Sequence, residues 1–204
     1  MAVKIEHLSL KRGNRLLIKD LSVSLEKSES LLLTGPNGVG KTTLIRSIAG
    51  FIQPEAGSIT LNLAPDSTKT ASETALETAS DQAELIHYIG HKNGIRTSLT
   101  VLENLEFWCE FYGSDKPLNP VIKSHNLSSL IHIPAGYLSA GQKRRLSLAK
   151  LALIKKPLWL LDEPTVSLDE LSAKLVADAA SQHLNAGGIL IAATHIPLAI
   201  PFPR

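Results

Sequence analysis

The sequence predicts an α/β fold with buried parallel strands, on three observations. Residues 31 to 33 are a short apolar run that leads through a glycine-rich loop into a helical-looking stretch. Residues 158 to 161, Leu-Trp-Leu-Leu, form a second apolar run that ends in Asp162 and Glu163, and residues 189 to 194 form a third that ends before His195. Continuous apolar runs of this length are what strands buried on both faces look like, and their carboxyl edge is where such sheets collect chemistry.

Taken in chain order, residues 3 to 10 and 21 to 25 alternate apolar with polar, as half-buried strands do, and residues 57 to 63 read likewise. Between the second strand and the next helix lies Gly35-Pro36-Asn37-Gly38-Val39-Gly40-Lys41-Thr42, which fits G-x-x-x-x-G-K-[ST] without a mismatch. Residues 43 to 49 supply the helix that this motif requires. Residues 64 to 84 are Ala, Ser, Thr and acidic residues with Leu76 the one large apolar side chain, a composition that buries no face. A mobile surface insertion is expected there, a short exposed helix being the alternative.

Thr100 and Glu103 form a capping box that opens a helix over residues 101 to 112, with Leu102, Leu105, Trp108, Phe111 and Tyr112 at helical spacing. Such a stripe is core by default and a docking surface in the second instance. Ser139 and Gln142 form another capping box, so a helix starts at Ala140 with N–H groups pointing outward, a place that attracts anions. Ser167 and Glu170 make a third.

The glycines of the loop let backbone N–H groups of Gly35 to Gly40, with Pro36, Asn37 and Val39 between them, close around phosphate oxygens. Lys41 adds a point charge for the β- and γ-phosphates, Thr42 a hydroxyl for Mg²⁺, and Thr43 continues the helix N-terminus. Asp162, delivered by its strand, is the expected second magnesium-side group, acting through water because Mg²⁺ keeps part of its hydration shell. Glu163 is one residue on; in an extended chain it points the other way, where it can orient and deprotonate an attacking water. The reading is a site for ATP or GTP with magnesium.

One cysteine, Cys109, in 204 residues excludes intramolecular disulfides and Cys-rich metal sites, and a net charge of +2 implies neither nucleic acid nor an anionic membrane surface. No apolar stretch approaches the roughly 18 residues that a bilayer-spanning helix needs, and the first residues lack a signal-peptide core. The chain is expected to be one domain that neither spans a membrane nor is secreted. His7, His125, His132 and His183 read as surface or packing residues.

The phosphate loop, then Leu138-Ser139-Ala140-Gly141-Gln142, Leu161-Asp162-Glu163-Pro164, Ser167-Leu168-Asp169 and a lone His195 after an apolar strand, in that order, resemble the ATP-binding subunit of an ABC transporter over nearly the whole chain. The resemblance implies a P-loop NTPase core of the ABC ATPase kind, about residues 1 to 90 and 156 to 204, with an antiparallel β layer and a small helical subdomain over about 95 to 155. It implies two copies that sandwich two ATP molecules head to tail, with Ser139, Ala140, Gly141 and Gln142 serving the partner's nucleotide. It also implies that His195 contacts the γ-phosphate, that Asp169 lies at the seam, and that the aromatic stripe neighbours a membrane-spanning partner.

Three positions depart from the usual pattern of the family. Ala140 replaces a glycine of the signature, a change of one methyl group. His91 stands where most relatives carry a glutamine that links magnesium to the membrane partner; an imidazole keeps the hydrogen bond but makes its charge pH-dependent. No aromatic residue precedes Phe51, and the position of the usual adenine-stacking ring falls near Arg12, whose guanidinium can stack on a base or serve as a solvated turn residue.

Gly90-His91 followed by Gly94-Ile95, Leu99-Thr100 with Glu103-Asn104-Leu105, Lys143-Arg144-Arg145 and Thr194-His195 with Pro197-Leu198 resemble most the ATPases of the haem exporter of bacterial cytochrome c maturation. That resemblance implies CcmB- and CcmC-like membrane subunits as partners and a place on the cytoplasmic face of the inner membrane. A lipid or drug export ATPase, and a soluble ATP-driven assembly factor, are the alternatives.

Overall fold

The computed structural model describes residues 1–63, 84–90, 93–166 and 168–194. The chain divides into two compact units, one of Met1–Tyr88, Lys156–Glu163 and Ser181–Arg204, the other of Ile89–Lys155 and Pro164–Ala180. The stretch 164–180 therefore groups with the second unit, not with the rest of 156–204. The expected insertion, apart from Glu84, lies outside the described residues.

The first unit contains two sheets. Strands β1 (Ala2–Arg12), β2 (Arg15–Glu26) and β4 (Ala56–Asn62) form an antiparallel sheet in the order β2-β1-β4. β2 starts six residues earlier than the alternation suggested, because it pairs directly back from the Gly13 turn, with Arg12 opposite Arg15. Strands β3 (Ser30–Leu33), β5 (Ile86–Ile89), β6 (Leu158–Asp162) and β7 (Ile189–Ala193) form the second sheet, in the order β3-β7-β6-β5, with the β3-β7 and β6-β7 pairs parallel. Every residue of β6 and β7 is buried, which is why their sequences carry no polar alternation.

Helix α1 (Lys41–Ile48) covers one face of that sheet. Leu44, Ile45 and Ile48 share a core with Leu158 and Leu160 of β6, Ile189, Ile191 and Ala193 of β7, and Val3, Ile5, Leu8 and Leu10 of β1. Each of these large side chains contributes about 1.5–3 kcal/mol on burial. Alternation along β6 places Asp162 on the same face as Leu158 and Leu160, the face that α1 covers.

The second unit is helical: α2 (Val101–Phe111), α3 (Leu118–Ser124), α4 (Ala140–Leu153) and the larger part of α5 (Glu170–Asn185). Its core joins Val101, Leu105 and Trp108 of α2 to Val121 and Ile122 of α3 and to Leu146, Ala149 and Leu153 of α4. Both expected capping boxes are formed, Thr100 with Glu103 and Ser139 with Gln142. Ser167 of the third lies outside the described residues; Asp169 Oδ1 accepts the Ser172 N–H at 2.8 Å at the start of α5. Among the described residues no helix is long and apolar enough to cross a membrane.

Candidate functional site

Strand register assembles the site in the first unit. Leu33 of β3, Ala193 of β7 and Asp162 of β6 are paired across the sheet at one level. The phosphate loop leaves from the first, His195 follows two residues after the second, and the third is itself the site carboxylate.

The loop's glycines take left-handed conformations, Gly35 at φ 129°, Gly38 at 81° and Gly40 at 116°. At Gly40 a Cβ would also press on Leu17 and Ile18, so both the turn and the space require glycine there. Gly40 is the N-cap of α1, offers no side-chain hydrogen bond, and no acidic residue lies in the helix's first turn. No side-chain cap closes the start of α1, a helix start of the kind that binds anions, whereas α2 and α4 carry capping boxes. The Lys41 ammonium lies across its own loop and donates to the carbonyls of Gly35 (2.6 Å) and Pro36 (3.2 Å).

Thr42 Oγ1 donates to Asp162 Oδ1 at 3.0 Å, and Asp162 is 1% exposed. A hydroxyl and a carboxylate oxygen meeting at a helix N-terminus form a hard, oxygen-only donor set that suits Mg²⁺. Among the described residues no cluster of three or more His, Cys, Asp or Glu side chains exists, so a metal here would depend on phosphate and water for its remaining ligands.

Glu163 departs from the extended-chain expectation. Its φ is +50°, the left-handed region that a non-glycine residue enters at a cost, and its N–H donates to Ala193 O at 2.8 Å. The backbone leaves the strand conformation at this residue, so strand alternation does not set where its carboxylate points. It is buried, at 8% exposure.

In the second unit Ser139 Oγ accepts the Gln142 N–H at 3.2 Å, while Gln142 Oε1 accepts the Ser139 N–H at 2.8 Å. The box orders both side chains at an exposed helix start, where Ser139 and Ala140 are solvent-accessible. Having accepted one bond, the Ser139 hydroxyl still has its own proton to donate to an anion. Asp169 is held below the usual carboxylate range, first by its hydrogen bonds with Ser172 and further by Arg145, whose Nη1 is 3.8 Å from Oδ2.

Arg12 is exposed at the end of β1, beside the turn at Gly13 (φ 58°). His91, Ser167 and His195 lie outside the described residues. The aromatic stripe of α2 divides: Leu105 and Trp108 are core, whereas Phe111 is 68% and Tyr112 44% exposed. Phe107 stacks on Phe111 at 5.8 Å, Tyr112 meets Phe111 edge-on at 4.9 Å, and the Arg96 guanidinium lies 4.1 Å above the Phe107 ring.

One feature had no signal in the sequence: Arg144, a buried guanidinium in what reads as a basic surface stretch. His183, of the histidines expected at the surface or in packing, packs: its ring lies 4.1 Å from that of Trp159 and nearly parallel to it, its Nε2 donating to Ile189 O. Of the other histidines, His7 is exposed and bonded to Asp20 at 2.7 Å, His132 is exposed, and His125 bonds the Val121 carbonyl.

A sequence profile of the ABC transporter family matches residues 18–166. The chain is 43% identical over 204 residues to the cytochrome c biogenesis ATP-binding export protein CcmA of Rhizobium meliloti (strain 1021), covering 97% of this chain and 93% of that protein. It is 39% identical over 201 residues to the protein of that description from Brucella abortus (strain 2308), with 98% and 88% covered. Among solved structures, a putative ABC transporter ATP-binding protein from Pyrococcus furiosus superposes with a TM-score of 0.79 at 23% identity, over 100% of this chain and 96% of that one.

Proposed function

Because the chain belongs to the ABC transporter family, as an ATP-hydrolysing export subunit, we propose that it drives haem export in bacterial cytochrome c maturation. The observation that carries this reading is likeness along nearly the entire length, 43% over 97% of the chain, to a protein named for cytochrome c biogenesis and ATP-binding export.

The residues divide the work. Lys41 exchanges the Gly35 and Pro36 carbonyls for β- and γ-phosphate oxygens, and the N–H groups of residues 35–43 cradle the remaining phosphate charge. Thr42 and Asp162 would hold Mg²⁺, Asp162 through water, and the bound ion would supply charge neutralisation at the transferred phosphoryl group. Glu163 orients and deprotonates the attacking water, and His195 contacts the γ-phosphate. Ser139, Ala140, Gly141 and Gln142 bind the γ-phosphate held by a second copy, with Asp169 at the seam, so dimer closure completes the site. His91 takes the place of the family's glutamine, and Arg12 lies toward the adenine.

The membrane partners are CcmB- and CcmC-like subunits. The exposed face of Phe107, Phe111 and Tyr112 with Arg96 has the aromatic and guanidinium chemistry that interface centres use. The location is the cytoplasmic face of the inner membrane, as a peripheral subunit.

Deletion of the gene, with rescue by wild type or by Glu163→Gln, tests the whole reading. Holo c-type cytochromes should be lost on deletion and restored only by wild type; normal cytochromes in the deletion strain would overturn it.

A further inference from the structure

Arg144 is in the second turn of α4 and 5% exposed. Its Nε donates to Pro164 O at 3.1 Å, and its Nη1 to Gly90 O at 2.9 Å and to Asn93 Oδ1 at 3.1 Å. Two further residues of the helix, each three positions on, hold the same segment. Ser147 Oγ donates to Asn93 O at 2.9 Å, and Lys150 Nζ reaches Asn93 O at 3.3 Å and Gly94 O at 3.1 Å while standing 4.0 Å above the Trp108 ring.

The Arg144 bonds end on Pro164 O, Gly90 O and Asn93 Oδ1, acceptors that lie far apart in sequence. What the arrangement supplies is geometry: a planar fork whose donors fix three separate stretches of chain at once. One is the helix that begins at residues 139–142. The second brackets His91 and Lys92 in sequence. The third begins with Pro164, the residue bonded to Glu163.

We propose that Arg144 is a positioning residue that ties the helix start at Ser139 to the turn after Glu163 and to the segment around Gly90 and Asn93, so that phosphate engaged at Ser139 sets the placement of the hydrolytic carboxylate. The inference rests on the ATPase reading above. It predicts that loss of the fork leaves nucleotide binding by the chain's own phosphate loop intact and impairs turnover.

The test uses the full chain with ATP and Mg²⁺, with wild type and Lys41→Ala as references. Arg144→Gln should lower kcat at least about tenfold with KM and fluorescent-ATP affinity within about threefold, the signature of an interaction expressed only during turnover. Arg144→Lys should recover only part of that loss, since an ammonium lacks the fork. Combined with Ser139→Ala, Arg144→Gln should cost less than the product of the two single losses, because both act through one path. Asn93→Ala, which removes one acceptor, should lower kcat in the same direction and serves if Arg144→Gln does not fold.

A kcat for Arg144→Gln within twofold of wild type would overturn the proposal, as would full multiplicativity with Ser139→Ala. So would an unchanged kcat in Asn93→Ala where Arg144→Gln is unfolded. If wild type and Lys41→Ala hydrolyse ATP equally, the ATPase reading itself has failed, which is a different result.

Discussion

Thr42 Oγ1 and Asp162 Oδ1 stand 3.0 Å apart although 120 residues separate them in sequence. The pair joins the first turn of α1 to the last residue of β6, so strand register preassembles the two donors proposed for magnesium. Asp162→Asn is expected to lower kcat by about 100-fold or more, the usual scale for losing one charge-stabilising group. Thr42→Val should raise the Mg²⁺ concentration needed for half-maximal hydrolysis. Steady-state rates across a magnesium titration check both, and an unchanged magnesium dependence in either variant would contradict the assignment.

Glu163, the proposed general base, has a left-handed backbone, φ +50°. Glu163→Gly and Glu163→Ala should both lose hydrolysis by at least about 100-fold, as expected for a missing general base. Their stabilities should differ: glycine occupies that region freely, so Glu163→Gly should be more stable than Glu163→Ala by about 1 kcal/mol. Denaturant unfolding of the two inactive proteins separates backbone strain from chemistry, and equal stabilities would argue against strain at this residue.

Two helices carry the same capping box, but only one is assigned phosphate chemistry. Thr100→Ala and Ser139→Ala should each cost about 1 kcal/mol of stability, the common value for a lost N-cap. Turnover should survive the first and collapse in the second. Parallel melting and ATPase measurements test this, and equal activities would reduce Ser139 to a helix cap.

His183 is pushed down to about 4, first by burial, its hydrogen bonds to the Ile189 and Pro157 carbonyls opposing the shift only in part. The unfolded chain therefore binds this proton more readily than the folded one between pH 6.5 and 4, and stability falls as pH drops through that window. In His183→Phe the titration is gone, so the melting-temperature difference between wild type and variant should shift toward the variant from pH 7 to pH 4.5. A constant difference across that range would refute the linkage. Gly188→Ala adds an independent check: a methyl group there would collide with the His183 ring, an overpacking cost of about 1–3 kcal/mol that His183→Ala should relieve.

Legibility followed the reach of the interactions. The phosphate loop, the capping boxes at Thr100 and Ser139 and the buried strand ending at Asp162 are set by residues within a few positions of one another, and their side chains announce them. Glu163 was read as extended because the sequence continues the strand, and only the bond from its N–H to Ala193 O reveals the turn. Arg144 finds its acceptors 20, 51 and 54 residues away, so nothing local distinguishes it from exposed Lys or Arg.

Helix α1 begins at a residue that has no side chain to close it. On the reading proposed above, nucleotide phosphate supplies the cap that Gly40 does not, which makes nucleotide a component of the fold as well as its fuel. Each tenfold rise of ATP above its dissociation constant should then add about 1.4 kcal/mol to unfolding free energy.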